Sequence, residues 1–185
     1  NAGNITHRLR NLTQLVRLGL SVFLFDYRGY GQSQGQPSES GLYQDASAAY
    51  SYLTTVRKVL PKRVIVFGRS LGSTIAGHLV SERSAAGLIL ESSFPSVEHM
   101  ARAHYFGLPA HWLLRARFDL ASHLKKVRVP LLIIHGDRDR IVPIGLGHEV
   151  YERANGPKDF YRVPGAGHND VTMVGGQAYF QRIIK

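Results

Sequence analysis

The feature that most restricts how this 185-residue chain can fold is an alternation of two hydrophobic periodicities. Short runs of β-branched and other apolar residues occur at 21–25, 63–67, 87–90, 129–135 and 159–163. Between and around them, residues 5–18, 41–58, 71–82, 143–154 and 175–184 place apolar side chains three and four positions apart, the spacing of a helix with one buried face. Strand runs that are apolar throughout need cover on both faces. The alternation therefore predicts an α/β class: a mostly parallel sheet with helices on both sides. One connection breaks the rhythm. Residues 94–126 are too many for a simple crossover and are rich in aromatics, His and Arg, so they read as an inserted short helical cap. No Pro-, Gly- or Ser-rich linker divides the rest, and residues 1–185 are expected to form a single domain with that cap.

Composition removes several other classes. Hydrophobic residues at 44% and charged residues at 19% suit a packed globular chain, not a disordered, collagen-like or coiled-coil one. With no cysteine, disulfides, thiolate metal sites and a thiol nucleophile are excluded. No apolar run reaches the ~18 residues of a membrane helix. The formal net charge of +10 is scattered; its densest cluster is Lys125, Lys126 and Arg128, with Arg115 and Arg117 nearby. No basic helix or aromatic RNA-binding motif accompanies it, so nucleic acid is not an expected partner.

The pentapeptide Gly68-Arg69-Ser70-Leu71-Gly72 matches G-x-S-x-G, in which a serine sits on a strained turn from strand to helix. A second match, Gly31-Gln32-Ser33-Gln34-Gly35, shows that the pattern alone decides nothing. Context favours Ser70. Val64-Ile65-Val66-Phe67 runs straight into it, and Thr74, Ala76 and Gly77 follow as small residues that let a helix pack close, whereas Ser33 lies among Gly, Gln, Ser and Pro37 in a loop composition. A hydroxyl on such a turn projects above the sheet edge, and the next backbone N–H, from Leu71, faces the same space as an oxyanion donor. The competing role for Ser70 is an ordinary helix N-cap.

A serine hydroxyl needs a base to take its proton and an acid to orient that base. In this arrangement the chain order is serine, acid, histidine, each on a loop after a strand. After the run 129–135 come Gly136-Asp137-Arg138-Asp139-Arg140-Ile141-Val142-Pro143, where Asp139 and Asp137 compete for the acid's place; a plain turn-forming Asp is the competing role for either. Of nine histidines, His168 stands in a glycine-rich loop, Gly165-Ala166-Gly167-His168-Asn169-Asp170, after the last strand run and before the last helix. His135 reads as a strand-end residue, and His99, His104, His111 and His123 fall in the cap.

Together these residues resemble the α/β-hydrolase superfamily, in its serine-hydrolase branch with a small cap that includes acyl-protein thioesterases and lysophospholipid or monoacylglycerol lipases. The resemblance covers almost the whole chain. Asp26-Tyr27-Arg28-Gly29-Tyr30-Gly31-Gln32-Ser33 is similar to the family's D-Y-R-G-Y-G-x-S loop after its fourth strand, which accounts for the second serine match. Asn1-Ala2-Gly3-Asn4 is similar to the tail of the family's H-G-N-A-G-N segment, which implies that the Asn1 backbone supplies a second oxyanion donor. The H-G pair is not in the chain, and the family's first three strands would precede it. The resemblance therefore implies an incomplete N-terminal part, with residues 21–25 lying without strand neighbours. The expectation is that the natural protein extends upstream and that the 185 residues by themselves are insoluble or inactive, which a sharp cooperative melt would refute.

The implied chemistry is acyl transfer to water with Ser70, Asp139 and His168 as the catalytic residues and Leu71 and Asn1 as the oxyanion hole. No metal or organic cofactor is implied: there is no phosphate-loop pattern, and Gly29/Gly31, Gly145/Gly147 and Gly165/Gly167 each lack the third glycine of a dinucleotide fingerprint. The expected partner is a small-molecule acyl ester or thioester, lipid-like in kind, with contact to a membrane surface kept open. Phe94, Tyr105 and Trp112, with Phe106, Leu108, Leu113 and Leu114, line an acyl groove or else form the cap's own core. The rival readings are a non-catalytic binding module on the same fold and an amide or peptide hydrolase.

Overall fold

The computed structural model describes residues 5–104 and 116–184. Four of the five apolar runs are strands: β1 (Ile65–Arg69), β2 (Gly87–Glu91), β3 (Leu131–Gly136) and β4 (Lys158–Val163). They form one parallel sheet in the order β1-β2-β3-β4, in a register that aligns Phe67, Ile89, Leu132 and Asp159. Helix α1 (Leu9–Arg17) follows a 3-10 turn at Ile5–Arg8. Then come α2 (Glu39–Ser51), which runs into a π turn at Tyr52–Val56, and α3 (Leu71–Glu82). Helices α4 (Val97–His104), α5 (Leu120–Leu124), α6 (Ile144–Arg153) and α7 (Val171–Ile183) follow among the described residues.

Alternation along the strands explains the layers. Leu88, Leu90, Leu131 and Ile133 face one side and meet Ala76 and Val80 of α3, Leu120 and Leu124 of α5, and Val150 of α6. Ile89, Ile134 and Val163 face the other and meet Val171 and Tyr179 of α7. Each such fully buried aliphatic side chain stabilises the fold by roughly 1.5–3 kcal/mol. Outside α3, the α2 residues Leu42, Ala46 and Tyr50 pack against Ile75 and Leu79. Helix α2 begins where Ser38 caps it, its hydroxyl accepting the Gly41 N–H at 3.1 Å.

Residues 21–25 are not the strand their apolar run suggests, and they join no ladder, in agreement with the expectation that they lie without strand neighbours. A strand exists only through its cross-strand bonds, and among the described residues β1 is the edge nearest this segment's packing partners. Phe25 and Tyr27 instead pack on the α2–α3 cluster, and Phe23 stacks on Tyr52 with ring centres 5.7 Å apart. Helix α7 starts at Val171, earlier than its expected first residue, and bends at Gly176, whose φ of 50° suits glycine. Within 94–126, α5 is part of the main core: a side chain on Gly77 would meet Leu120 at 2.3 Å. Because the strands are parallel, the turns after β1, β3 and β4 all emerge at one edge of the sheet, where ligands bind open sheets of this kind.

Candidate active site

Strand β1 delivers the chain to Ser70 through a turn that the sequence makes tight. Ser70 has φ 53° and ψ −124°, a left-handed value rare for a residue with a side chain, and immediately precedes α3. Its hydroxyl makes no capping bond to the helix, so the ordinary N-cap role does not describe it. The turn is possible because residue 68 is glycine: a Cβ there would stand 2.3 Å from the Gly72 carbonyl oxygen and 2.6 Å from the Ala76 Cβ. Gly72 itself faces open space. Leu71 is the first residue of α3, where a backbone N–H has no partner within its own helix.

The turn after β4 carries His168 to the same place. Its Nε2 lies 3.1 Å from the Ser70 Oγ, and its Nδ1 lies 2.7 Å from the Asp139 Oδ2. A carboxylate only accepts, so Nδ1 carries the proton and Nε2 is free to accept the serine O–H. The loop is held by Arg138 N–H donating to the Ala166 carbonyl at 2.8 Å and by Gly167 N–H donating to the Asp170 Oδ1 at 2.6 Å.

Asp139 and Asp137 share one turn but face opposite ways. Asp139 is buried, and its Oδ1 accepts the Ile141 and Val142 N–H groups at 2.9 and 2.7 Å. Burial pushes its carboxyl up, but the hydrogen bonds from His168 and Val142 and the charges of His168 and His135 outweigh it, leaving the pKa below the usual 3.8. Asp137 points outward, accepting Arg162 at 2.6 Å and the Gly165 N–H at 2.7 Å.

Two features around these groups were not legible as site features. His135 ends β3 fully buried, its Nε2 2.8 Å from the Val142 carbonyl and 3.6 Å from the Asp139 Oδ2. A carbonyl requires a donor, so Nε2–H is the proton-bearing nitrogen, and burial pushes this histidine's pKa down, favouring the neutral ring. Gly147 of α6 makes room for it, since a Cβ there would fall 2.4 Å from Nδ1. The other feature is an ion pair between half-buried Arg69 and buried Glu91 at 2.9 Å, at the carboxyl ends of β1 and β2. A charged residue just past the end of each of two apolar strand runs is the sequence signal for it.

Of the expected substrate-lining residues, Phe94 is only 4% exposed and packs with Val142 and Leu146 in a cluster that also touches Leu71, Val97 and Met100. Asn1, Tyr105 and Trp112 lie outside the described residues, as do Phe106, Leu108 and Leu113.

Residues 6–118 match the model of a hydrolase family described as "Serine aminopeptidase, S33". An uncharacterized protein of Mycobacterium tuberculosis is 40% identical over 183 residues, which is 99% of this chain and 65% of that protein. The human alpha/beta hydrolase domain-containing protein 17B is 34% identical over 167 residues, 90% of this chain and 56% of its own length. The chain thus spans less than two thirds of these curated relatives. Among solved structures, an esterase from Pyrococcus furiosus superposes with a TM-score of 0.77 at 24% identity, over 97% of this chain and 75% of its own. An alpha-beta hydrolase from Vibrio vulnificus gives 0.65 at 28% identity, over 86% and 61%.

Proposed function

This chain belongs to the α/β-hydrolase superfamily, and from that premise we propose that it is a serine hydrolase cleaving a carboxylic ester or thioester through an acyl-enzyme intermediate. Ser70 Oγ attacks the carbonyl carbon while His168 Nε2 takes its proton. Asp139 holds the Nδ1–H and stabilises the imidazolium that forms. The carbonyl oxygen, now negative, accepts the Leu71 N–H and, by the family resemblance, the Asn1 N–H; each such donor stabilises the transition state by roughly 2.7–4 kcal/mol. Collapse of the intermediate expels the alcohol or thiol, which takes the proton from Nε2. Water then enters by the same route in reverse and frees Ser70.

The observation that carries this reading is the unbroken contact from Asp139 through His168 to Ser70, at 2.7 and 3.1 Å, made by three turns at one sheet edge. Substrate choice falls to the cap segment 94–126, with Tyr105 and Trp112 as the residues assigned to an acyl group and Phe94 packed in the core beneath. The substrate is a small acyl ester or thioester of lipid-like kind, which would bring the enzyme to membrane surfaces. A second reading, hydrolysis of an amide or peptide, rests on the description of the matching family as a serine aminopeptidase.

The test is a p-nitrophenyl ester series of increasing acyl length, run beside aminoacyl p-nitroanilides on the natural full-length protein and on Ser70→Ala. Ester turnover should fall roughly 10⁴-fold or more in Ser70→Ala. Equal turnover by parent and variant would overturn the assignment, and anilides cleaved faster than esters would favour the second reading.

A further inference from the structure

Arg69 occupies the first variable position of the serine pentapeptide, and its side chain reaches two places at once. It is the register partner of Glu91 on the neighbouring parallel strand, so both side chains leave the sheet on the same face. Its Nε donates to the Glu91 Oε1 at 2.9 Å, while a terminal nitrogen donates to the His168 backbone carbonyl and, at 3.2 Å, to the Asn169 Oδ1. Glu91 is 1% exposed, and its second oxygen accepts the Tyr179 hydroxyl of α7 at 2.6 Å. Its backbone carbonyl accepts the Ser70 N–H at 2.9 Å.

These bonds form a closed circuit. It runs from the Ser70 backbone to Glu91, from Glu91 to Arg69, and from Arg69 to the backbone of His168. The Ser70–His168 side-chain contact closes that circuit. Resting on the serine-hydrolase reading, we infer that Arg69 is a positioning residue: it sets the distance between nucleophile and base by tying the histidine loop to the serine turn through Glu91.

Two physical arguments support it. His168 sits on a turn with no strand ladder to fix it, whereas Arg69 belongs to β1 and Glu91 to β2, a strand buried along its whole length. An ion pair whose carboxylate is buried is also a poor way to gain stability alone, because desolvation offsets much of its attraction. Its return here is geometric. The planar guanidinium carries its donors on separate nitrogens in a rigid fork, so Nε meets the carboxylate while a terminal nitrogen meets the carbonyl; a lysine ammonium offers its donors from one atom on a flexible stem and fixes no such spacing. Displacing a base by about 1 Å costs on the order of 10²-fold in rate.

Arg69→Met alone strands the Glu91 carboxylate, so the test pairs Arg69→Met with Glu91→Gln and adds Arg69→Lys, all in the natural full-length protein. Arg182→Met, which breaks an exposed pair with Asp159, is the control for loss of an arginine. Three quantities are read: the melting transition, kcat and KM on p-nitrophenyl butyrate, and the low-field proton resonance of the His168 Nδ1–H shared with Asp139. The double variant should melt cooperatively, lose about 10- to 100-fold in kcat at unchanged KM, and broaden or lose the low-field resonance. Arg69→Lys should fall between it and the parent, and it carries the same readouts if the double variant does not fold. A folded double variant with the parent's kcat and resonance would overturn the inference, as would a kcat loss equal to the unfolded fraction. If Ser70→Ala proves as active as the parent, the serine-hydrolase reading falls instead, and the resonance still decides whether Arg69 positions His168.

Discussion

The same five-letter pattern, G-x-S-x-G, occurs twice in this chain, and the two copies do different physical work. At Ser70 strand β1 ends, a helix begins, and the hydroxyl turns away from the helix toward His168 at 3.1 Å. At Ser33 there is neither strand nor helix; the hydroxyl donates to the Asp26 carbonyl at 2.8 Å and fastens its own loop. The glycines differ as well. Gly68 is needed for space, because the turn presses backbone against backbone at that point. Gly31 and Gly35 have φ of 55° and 92°, so they are needed for handedness, and around Gly35 a Cβ would touch nothing closer than 3.7 Å. A serine pentapeptide thus acquires chemistry from what lies behind and in front of it, and the letters themselves are neutral.

The largest effect that could break this contrast is expected at the partners of Ser70. Asp139→Asn should lower kcat/KM on an ester substrate by roughly 10³- to 10⁴-fold, because the imidazole loses its orienting carboxylate. Asp137→Asn, two residues away and facing Arg162, should cost less than about tenfold in the same assay. If the two variants lose activity equally, the turn after β3 works as a unit and not through Asp139.

The glycines give the next effect, read by thermal or urea melting. Gly68→Ala should destabilise by about 1–3 kcal/mol through overpacking, and Gly35→Ala by about 1–2 kcal/mol through its left-handed backbone. Gly72→Ala, in open space within α3, should be neutral or stabilise by about 0.5–1 kcal/mol. A Gly72→Ala cost equal to that of Gly68→Ala would show that crowding does not distinguish the flanks.

Ser33→Ala should have the smallest effect, a loss of about 1 kcal/mol for one hydrogen bond with ester turnover unchanged. A large activity loss there would join the two serines functionally and undo the comparison.

What could be read from the sequence follows from how local each feature is. Helix α3 begins and ends at the expected residues, since its apolar spacing and the turn before it lie in one continuous stretch. Strand β2 was legible because a run buried on both faces is apolar at every position but its last. Residues 21–25 look equally apolar, yet apolarity reports a preference for burial and says nothing about which strand stands alongside. Asp137 and Asp139 could not be separated by spacing, since only the path of the turn after β3 directs one inward and the other toward Arg162 on β4. Arg69 and Glu91 become meaningful only once the β1–β2 register makes them neighbours. The pair Gly175-Gly176 looks like a helix boundary in sequence; in the fold it is a bend inside α7, whose first turn is anchored by the buried Val171.

The most direct measurement is covalent labelling of the natural full-length protein with a fluorophosphonate, followed by peptide mapping to locate the adduct. The account predicts one modified serine, Ser70, with Ser33 unmodified and labelling lost in His168→Ala. An adduct on Ser33, or ester turnover by a protein in which Ser70 never reacts, would contradict it.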